Sequence, residues 1–142
     1  MKPKYQATAT AAGGREGQVT SDDGVLDLQL ALPKELGGKG GNFTNPEQLF
    51  AAGYAACFGS ALQLVAQQQK VKLGDFNVTA AVGIGEDDDE GGFLLQVELD
   101  VYIPEIDVEV GEDLINEAHE ICPYSKATRD NIDVTLNLLV DE

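Results

Sequence analysis

Asn45-Pro-Glu-Gln-Leu-Phe-Ala-Ala-Gly-Tyr-Ala-Ala-Cys-Phe-Gly-Ser-Ala-Leu-Gln-Leu-Val-Ala66 decides how the rest of this chain is read. Asn45 or Thr44 caps a helix, Pro46 suits its first turn, and Glu47 and Gln48 place a carboxylate and an amide at the positive end of its dipole. The helix is expected to run to about Gln69. From Leu49 to Ala66 it is apolar nearly all round and rich in small residues, which predicts burial on most faces and close approach of other backbones. It is the central helix of the fold.

Strand patterns lie on both sides of it. Tyr5 to Ala12 alternates small and polar residues, and Arg15 to Thr20 is expected to form another strand. The turn Ser21-Asp-Asp-Gly24 follows. Leu26, Leu28, Leu30 and Leu32 then alternate with Asp27, Gln29 and Ala31, the period of a half-buried strand. Gly37 to Gly41 reads as a loop and not as a phosphate cradle, because no Ser or Thr follows Lys39. Beyond the helix, Phe76, Val78, Ala80, Val82 and Ile84 alternate, as do Phe93, Leu95, Val97, Leu99, Val101 and Ile103. Between them, Gly85 to Gly92 makes an acidic hairpin loop without the ligand spacing of an EF-hand, and so a solvated turn. A second helix is expected from about Gly111 to Ile121, stopping near Cys122 because Pro123 disfavours helical geometry in the residue before it. Ile132 to Val140 alternates again. With no repeat and no linker, residues 1–142 read as a single α+β domain, antiparallel sheet packed on a long central helix and a second helix.

The chain has 142 residues, 43% of them hydrophobic and 24% charged, with 9 Lys and Arg against 25 Asp and Glu for a net charge of −16. That is enough apolar content for a core, and the wrong sign for nucleic-acid phosphates or anionic lipid headgroups. No stretch reads as the run of roughly 20 apolar residues that spans a bilayer, and the first residues lack the apolar core of a secretion signal. A cytoplasmic address is expected. The acidity fits either a salty cytoplasm or ordinary solubility.

Two cysteines remain. Cys57 lies in mid-helix and Cys122 beside Pro123; this spacing matches neither a CxxC redox motif nor a zinc site, since the lone His119 and two distant thiols supply too few clustered ligands. Either cysteine alone also reads as a small buried hydrophobe. A reactive thiol must ionise, and in so acidic a chain that needs a dedicated cation. There are two arginines, Arg15 and Arg129. Arg15 sits in Gly13-Gly-Arg-Glu-Gly17, whose glycines let backbones approach closely; it reads equally as a surface arginine in a turn. Glu47 compensates the helix dipole or holds a guanidinium by a bidentate pair.

The run Thr44 to Phe58, together with Cys122-Pro-Tyr-Ser-Lys-Ala-Thr-Arg-Asp-Asn131, strongly resembles the organic hydroperoxide resistance proteins, the Ohr branch of the OsmC/Ohr family. Gly13 to Gly17, Gly24 to Leu28, Leu36 to Gly41 and Asn131 to Leu138 extend the likeness over nearly the whole chain. The wording of the two long motifs favours Ohr over the OsmC branch. The resemblance implies a thiol peroxidase that reduces organic and fatty-acyl hydroperoxides to alcohols without metal, haem or flavin. By matching motif, Cys57 is the peroxidatic cysteine, Cys122 the resolving cysteine, Arg15 the guanidinium that stabilises the thiolate and Glu47 its carboxylate partner. It also implies dihydrolipoamide on lipoylated proteins as reductant and an intertwined homodimer with active sites at the subunit interface.

Two expectations accompany it. Phe50, Tyr54 and Phe58 form an apolar pocket favouring alkyl or acyl hydroperoxides, or else are ordinary core or dimer packing. Glu47 and Cys57, ten residues apart on one helix, are separated by a rise of about 15 Å; Glu47 and Cys57 of one site are therefore expected to come from different subunits. The competing readings are a redox sensor signalling through a Cys57–Cys122 disulfide and a lipid-binding protein with incidental thiols.

Overall fold

The computed structural model describes residues 1–141, in the order β1 (Ala9–Ala12), β2 (Gln18–Ser21), β3 (Asp27–Gln29), α1 (Pro46–Gln68), β4 (Asn77–Glu86), β5 (Phe93–Tyr102), α2 (Val108–Ile121), α3 (Pro123–Thr128) and β6 (Val134–Leu139). Two compact units divide the chain after Leu49, so the first turn of α1 belongs to one and its body to the other.

In the first unit, β1, β2 and β3 form an antiparallel sheet, with Ala12 opposite Gln18 and Val19 opposite Leu28. Arg15 is not on a strand as expected: residues Gly14–Glu16 form a single 3-10 turn. Gly13 and Gly14 both have positive φ, which bends the chain there before β2 begins. Gly17 closes the turn so tightly that a Cβ would stand 1.6 Å from the Ala12 carbonyl oxygen. Leu26 and Leu28 were expected to be half-buried, yet both are exposed in the single chain. The strand is also shorter than its alternation, because Leu30 leaves β3 to bridge Thr44 in parallel beside the start of α1.

α1 begins where the caps place it. Asn45 Oδ1 accepts from the Gln48 N–H, and the Thr44 hydroxyl donates to Gln48 Oε1. The helix is one continuous element of 23 residues. Tyr54, Phe58, Leu62, Val65 and Ala66 are buried, while Ala52, Ala56, Ser60 and Leu64 are exposed, so burial on most faces is not met within one chain. By length and composition α1 is long and apolar enough to cross a membrane, against the expectation that no stretch is. Its buried face belongs to the core of the second unit instead.

That core lies against a three-stranded sheet with β5 in the middle. β4 and β5 pair antiparallel from Asn77 opposite Tyr102 to Glu86 opposite Phe93, the expected hairpin. β6 pairs parallel with β5, Val97 opposite Val134 through Tyr102 opposite Leu139, so this sheet is mixed and not purely antiparallel. The helices between β5 and β6 carry the chain back to the starting end of the sheet, the kind of crossover that parallel neighbours require. Val97, Leu99 and Val101 of β5 and Ile103 beyond it meet Leu114, Ile115 and Ala118 of α2 and the buried face of α1. Each such large apolar side chain contributes about 1.5–3 kcal/mol of burial. α2 starts three residues before the expected Gly111, since Asp107 accepts from the N–H groups of Glu109 and Val110 and caps it there.

Candidate active site

The turn at Arg15 and the first turn of α1 face each other within the first unit. Arg15 Nη1 donates to Glu47 Oε2 at 2.8 Å and Nη2 to Oε1 at 2.7 Å, a bidentate pair. The Glu47 side chain is the more enclosed partner, 13% exposed against 37% for Arg15. The Arg15 guanidinium holds the Glu47 carboxyl below its usual range, and the Glu47 hydrogen bond raises Arg15 further. The site therefore presents a fixed guanidinium over the pH range in which Glu47 is ionised.

The second unit brings the cysteines together. Cys57 stands half-buried in mid-α1, and Cys122 is fully buried between α2 and α3. Pro123 breaks the helical run by holding Cys122 extended at φ −61°, ψ 123°. The chain resumes at once as α3, a short helix not anticipated from the sequence, with Pro123 in its first turn. This corner delivers the Cys122 thiol as a donor to the Cys57 sulfur at 3.6 Å. Both thiols are free. Burial pushes the Cys57 thiol up, and the nearby backbone N–H of Tyr124 works the other way. Among the described residues no group of three or more His, Cys, Asp and Glu side chains is placed to hold a metal ion.

The three aromatic residues singled out from the sequence occupy different situations. Tyr54 and Phe58 are fully buried, whereas Phe50 is half-buried and packs edge-on against both Tyr54 and Tyr124, with ring centroids 6.1 Å apart in each case. Tyr124, not anticipated, lies over α1 at Gly53, where a Cβ would stand 2.8 Å from its hydroxyl oxygen. Beneath these rings is a polar group the sequence reading also missed: Tyr54 Oη meets Ser125 Oγ at 2.9 Å and Thr128 Oγ1 at 3.1 Å, and Ser125 Oγ meets His119 Nδ1 at 2.8 Å. The available signal was spacing, since Tyr54 and Cys57 are three residues apart on one helix, as are Cys122 and Ser125 across the start of another. Arg129, the second arginine, donates to the carbonyls of His119 at 3.0 Å and Glu120 at 3.5 Å, capping the end of α2.

Residues 38–137 match the family described as OsmC-like protein. The chain is 54% identical over 138 residues to the organic hydroperoxide resistance protein of Xanthomonas axonopodis pv. citri, covering 96% of each. It is 51% identical over 136 residues to OhrB of Bacillus subtilis, an organic hydroperoxide resistance protein, covering 94% of this chain and 97% of that one. This chain belongs to the Ohr branch of the OsmC/Ohr family. Its fold is that of Ohr crystal structures: an organic hydroperoxide resistance protein from Elizabethkingia anophelis, with crystallant-derived thiocyanate bound, superposes with a TM-score of 0.93 at 52% identity, covering 99% of this chain and 100% of that one. Within the OsmC-like match lie Glu47, Cys57 and Cys122, while the Arg15 turn precedes it. The Ohr-like α+β architecture expected from the motifs is therefore the architecture of this chain.

Proposed function

We propose that this chain is a cysteine-based peroxidase that reduces organic and fatty-acyl hydroperoxides to alcohols. The observation that carries the reading is the 3.6 Å approach of the Cys122 thiol to Cys57, 65 positions away in sequence. Cys57 as thiolate attacks the distal oxygen of ROOH. The S–O bond forms as the O–O bond breaks, leaving Cys57 sulfenic acid and an alkoxide that takes a proton to become ROH. Cys122 then attacks that sulfur, releasing water and forming the Cys57–Cys122 disulfide before a second peroxide overoxidises Cys57. An external dithiol, dihydrolipoamide on a lipoylated protein, restores both thiols by exchange and is itself oxidised to the disulfide. The two electrons thus come from sulfur at every stage, and no metal, haem or flavin takes part.

Arg15, held by Glu47, supplies the cation that the thiolate needs and that offsets charge growing on the peroxide oxygens. The ten-residue spacing of Glu47 and Cys57 along a continuous α1 supports a homodimer in which the Arg15–Glu47 pair of one subunit serves Cys57 of the other. Phe50 and Tyr124, with exposed ring surface, wall the approach for an alkyl or acyl chain, and Tyr54 and Phe58 back it. The reducing cytoplasm suits a pair that must be returned to thiols. Neither nucleic acid nor a membrane surface is required as a partner.

Steady-state consumption of cumene hydroperoxide with dihydrolipoamide tests this, against hydrogen peroxide as substrate and Cys57→Ser as enzyme. Rapid turnover that prefers the organic peroxide and vanishes in the variant is expected. Absence of turnover in folded, reduced protein overturns it in favour of a redox sensor or lipid carrier.

A further inference from the structure

The polar group beneath the cysteines has only one arrangement of protons that fills all its contacts. Four hydrogen bonds join four side chains: His119 Nδ1 to Ser125 Oγ at 2.8 Å, Ser125 Oγ to Tyr54 Oη at 2.9 Å, Tyr54 Oη to Thr128 Oγ1 at 3.1 Å, and Thr128 Oγ1 to the Ser125 carbonyl at 3.2 Å. Each side chain has one proton to give here. Thr128 spends its proton on the Ser125 carbonyl, which accepts only. The contact between Tyr54 and Thr128 then needs the tyrosine proton, that between Ser125 and Tyr54 needs the serine proton, and that between His119 and Ser125 needs a proton on Nδ1. Any other order leaves a contact empty among residues of which Tyr54 and Ser125 have no exposed surface and Thr128 only 4%. The chain of donors therefore runs in one direction, from His119 to the end of α3.

Its position relative to the thiols gives it a role. Tyr54 lies one turn before Cys57 on α1, and Ser125 lies three residues after Cys122 at the start of α3. The Tyr54–Ser125 bond is thus a second rung beside the Cys57–Cys122 contact, joining the same two elements. The His119–Ser125 bond spans the bend at Cys122, bracing α2 against α3 where the backbone is extended. We infer that His119, Ser125, Tyr54 and Thr128 are positioning residues that fix the Cys122 corner so that its sulfur stands on Cys57, with His119 serving as the Nδ1–H tautomer. None of them touches a reacting atom; they act through the placement of Cys122.

The inference rests on the peroxidase reading only for its physiological use, because disulfide closure is measurable without peroxide. Reduced protein is exposed to oxidised dithiothreitol, whose disulfide is reduced as Cys57 and Cys122 are oxidised, and closure is followed by mass after trapping. Tyr54→Phe, Ser125→Ala and His119→Ala are expected to close about tenfold more slowly than wild type, within the range that loss of a buried hydrogen bond produces. His119→Asn, whose side-chain N–H lies near the place of Nδ1, is expected to recover most of the rate. Nitrogen chemical shifts of the wild-type His119 ring give a second readout that needs no variant, and are expected to show a protonated Nδ1 and a bare Nε2 in the neutral ring. Closure at the wild-type rate in folded Tyr54→Phe, or an Nε2–H tautomer, overturns the inference. Network-dependent closure in a protein that fails to turn over cumene hydroperoxide leaves the inference standing and removes the peroxidase reading.

Discussion

Gly53 and Tyr124 share one space: the hydroxyl of Tyr124 rests where a side chain on Gly53 would begin, 2.8 Å from an ideal Cβ. Gly53→Ala improves helix propensity by about 1 kcal/mol and displaces the hydroxyl end of the Tyr124 side chain, a residue that is 39% exposed. Stability is expected to change by less than about 1 kcal/mol, while the tyrosine ring moves off α1. The chain has no Trp and 4 Tyr, so tyrosine fluorescence reports the movement. In peroxide assays the preference for organic substrate over hydrogen peroxide is expected to narrow as the Phe50–Tyr124 wall opens. An unchanged preference with a displaced ring assigns selectivity elsewhere.

The Arg15–Glu47 pair gives stability a defined pH dependence. A carboxyl whose pKa is lowered in the folded state stabilises above its unfolded pKa, and that stability is lost as pH falls through the folded pKa. Between pH 6 and pH 3, wild type is expected to lose more unfolding free energy, measured by urea titration, than Glu47→Gln, by an amount on the order of 1 kcal/mol after allowing for the exposure of Arg15. Parallel curves for the two proteins refute the assignment. Arg15→Lys keeps the charge but not the fork, and is expected to lose activity well beyond its loss of stability.

The thiol titration separates what the Cys57 surroundings do from what Arg15 adds. Burial pushes the Cys57 thiol up, so in Arg15→Ala its alkylation by iodoacetamide is expected to rise only at pH values above the ordinary thiol range. In the wild-type dimer proposed above, the guanidinium reaching Cys57 from the other subunit is expected to bring the profile down toward neutrality. Superimposable profiles contradict the role proposed for Arg15.

At Gly17 a methyl group would stand 1.6 Å from the Ala12 carbonyl oxygen, with backbone on both sides and nothing to swing aside. Gly17→Ala is expected to open the turn that carries Arg15, costing over about 3 kcal/mol in chemical denaturation. Activity in whatever folded protein remains is expected to fall to that of Arg15→Ala.

Arg129→Gln removes two donors from the last carbonyls of α2. A destabilisation of about 1 kcal/mol is expected by urea unfolding, and Arg129→Lys, with no planar fork, is expected to recover only part of it.

Much of this was legible in the chain. The start of α1 was signalled by Asn45 and Pro46, and the hairpin by strict alternation on either side of an acidic turn, because caps and period-two patterns are local. The pairing of Arg15 with Glu47 is legible as a chemical option, but its turn is not, since the positive φ of Gly13 and Gly14 leaves no periodic mark. α3 went unseen because six residues are too few for a helical period. The parallel seat of β6 depends on where two helices return the chain, and the Tyr54–Ser125 contact joins residues 71 positions apart, so neither is written in any local pattern. Leu26 and Leu28 alternate as a buried face would, yet a single chain leaves them exposed.

The 3.6 Å between the two sulfurs bears on how far the Cys122 corner has to travel when the two are joined. Joining them asks for roughly 1.5 Å of approach. The reduced pair thus already stands within a short step of disulfide distance. On the peroxidase reading proposed above, each turnover closes and reopens a contact whose sulfurs already stand side by side, with little to rebuild at the Cys122 corner.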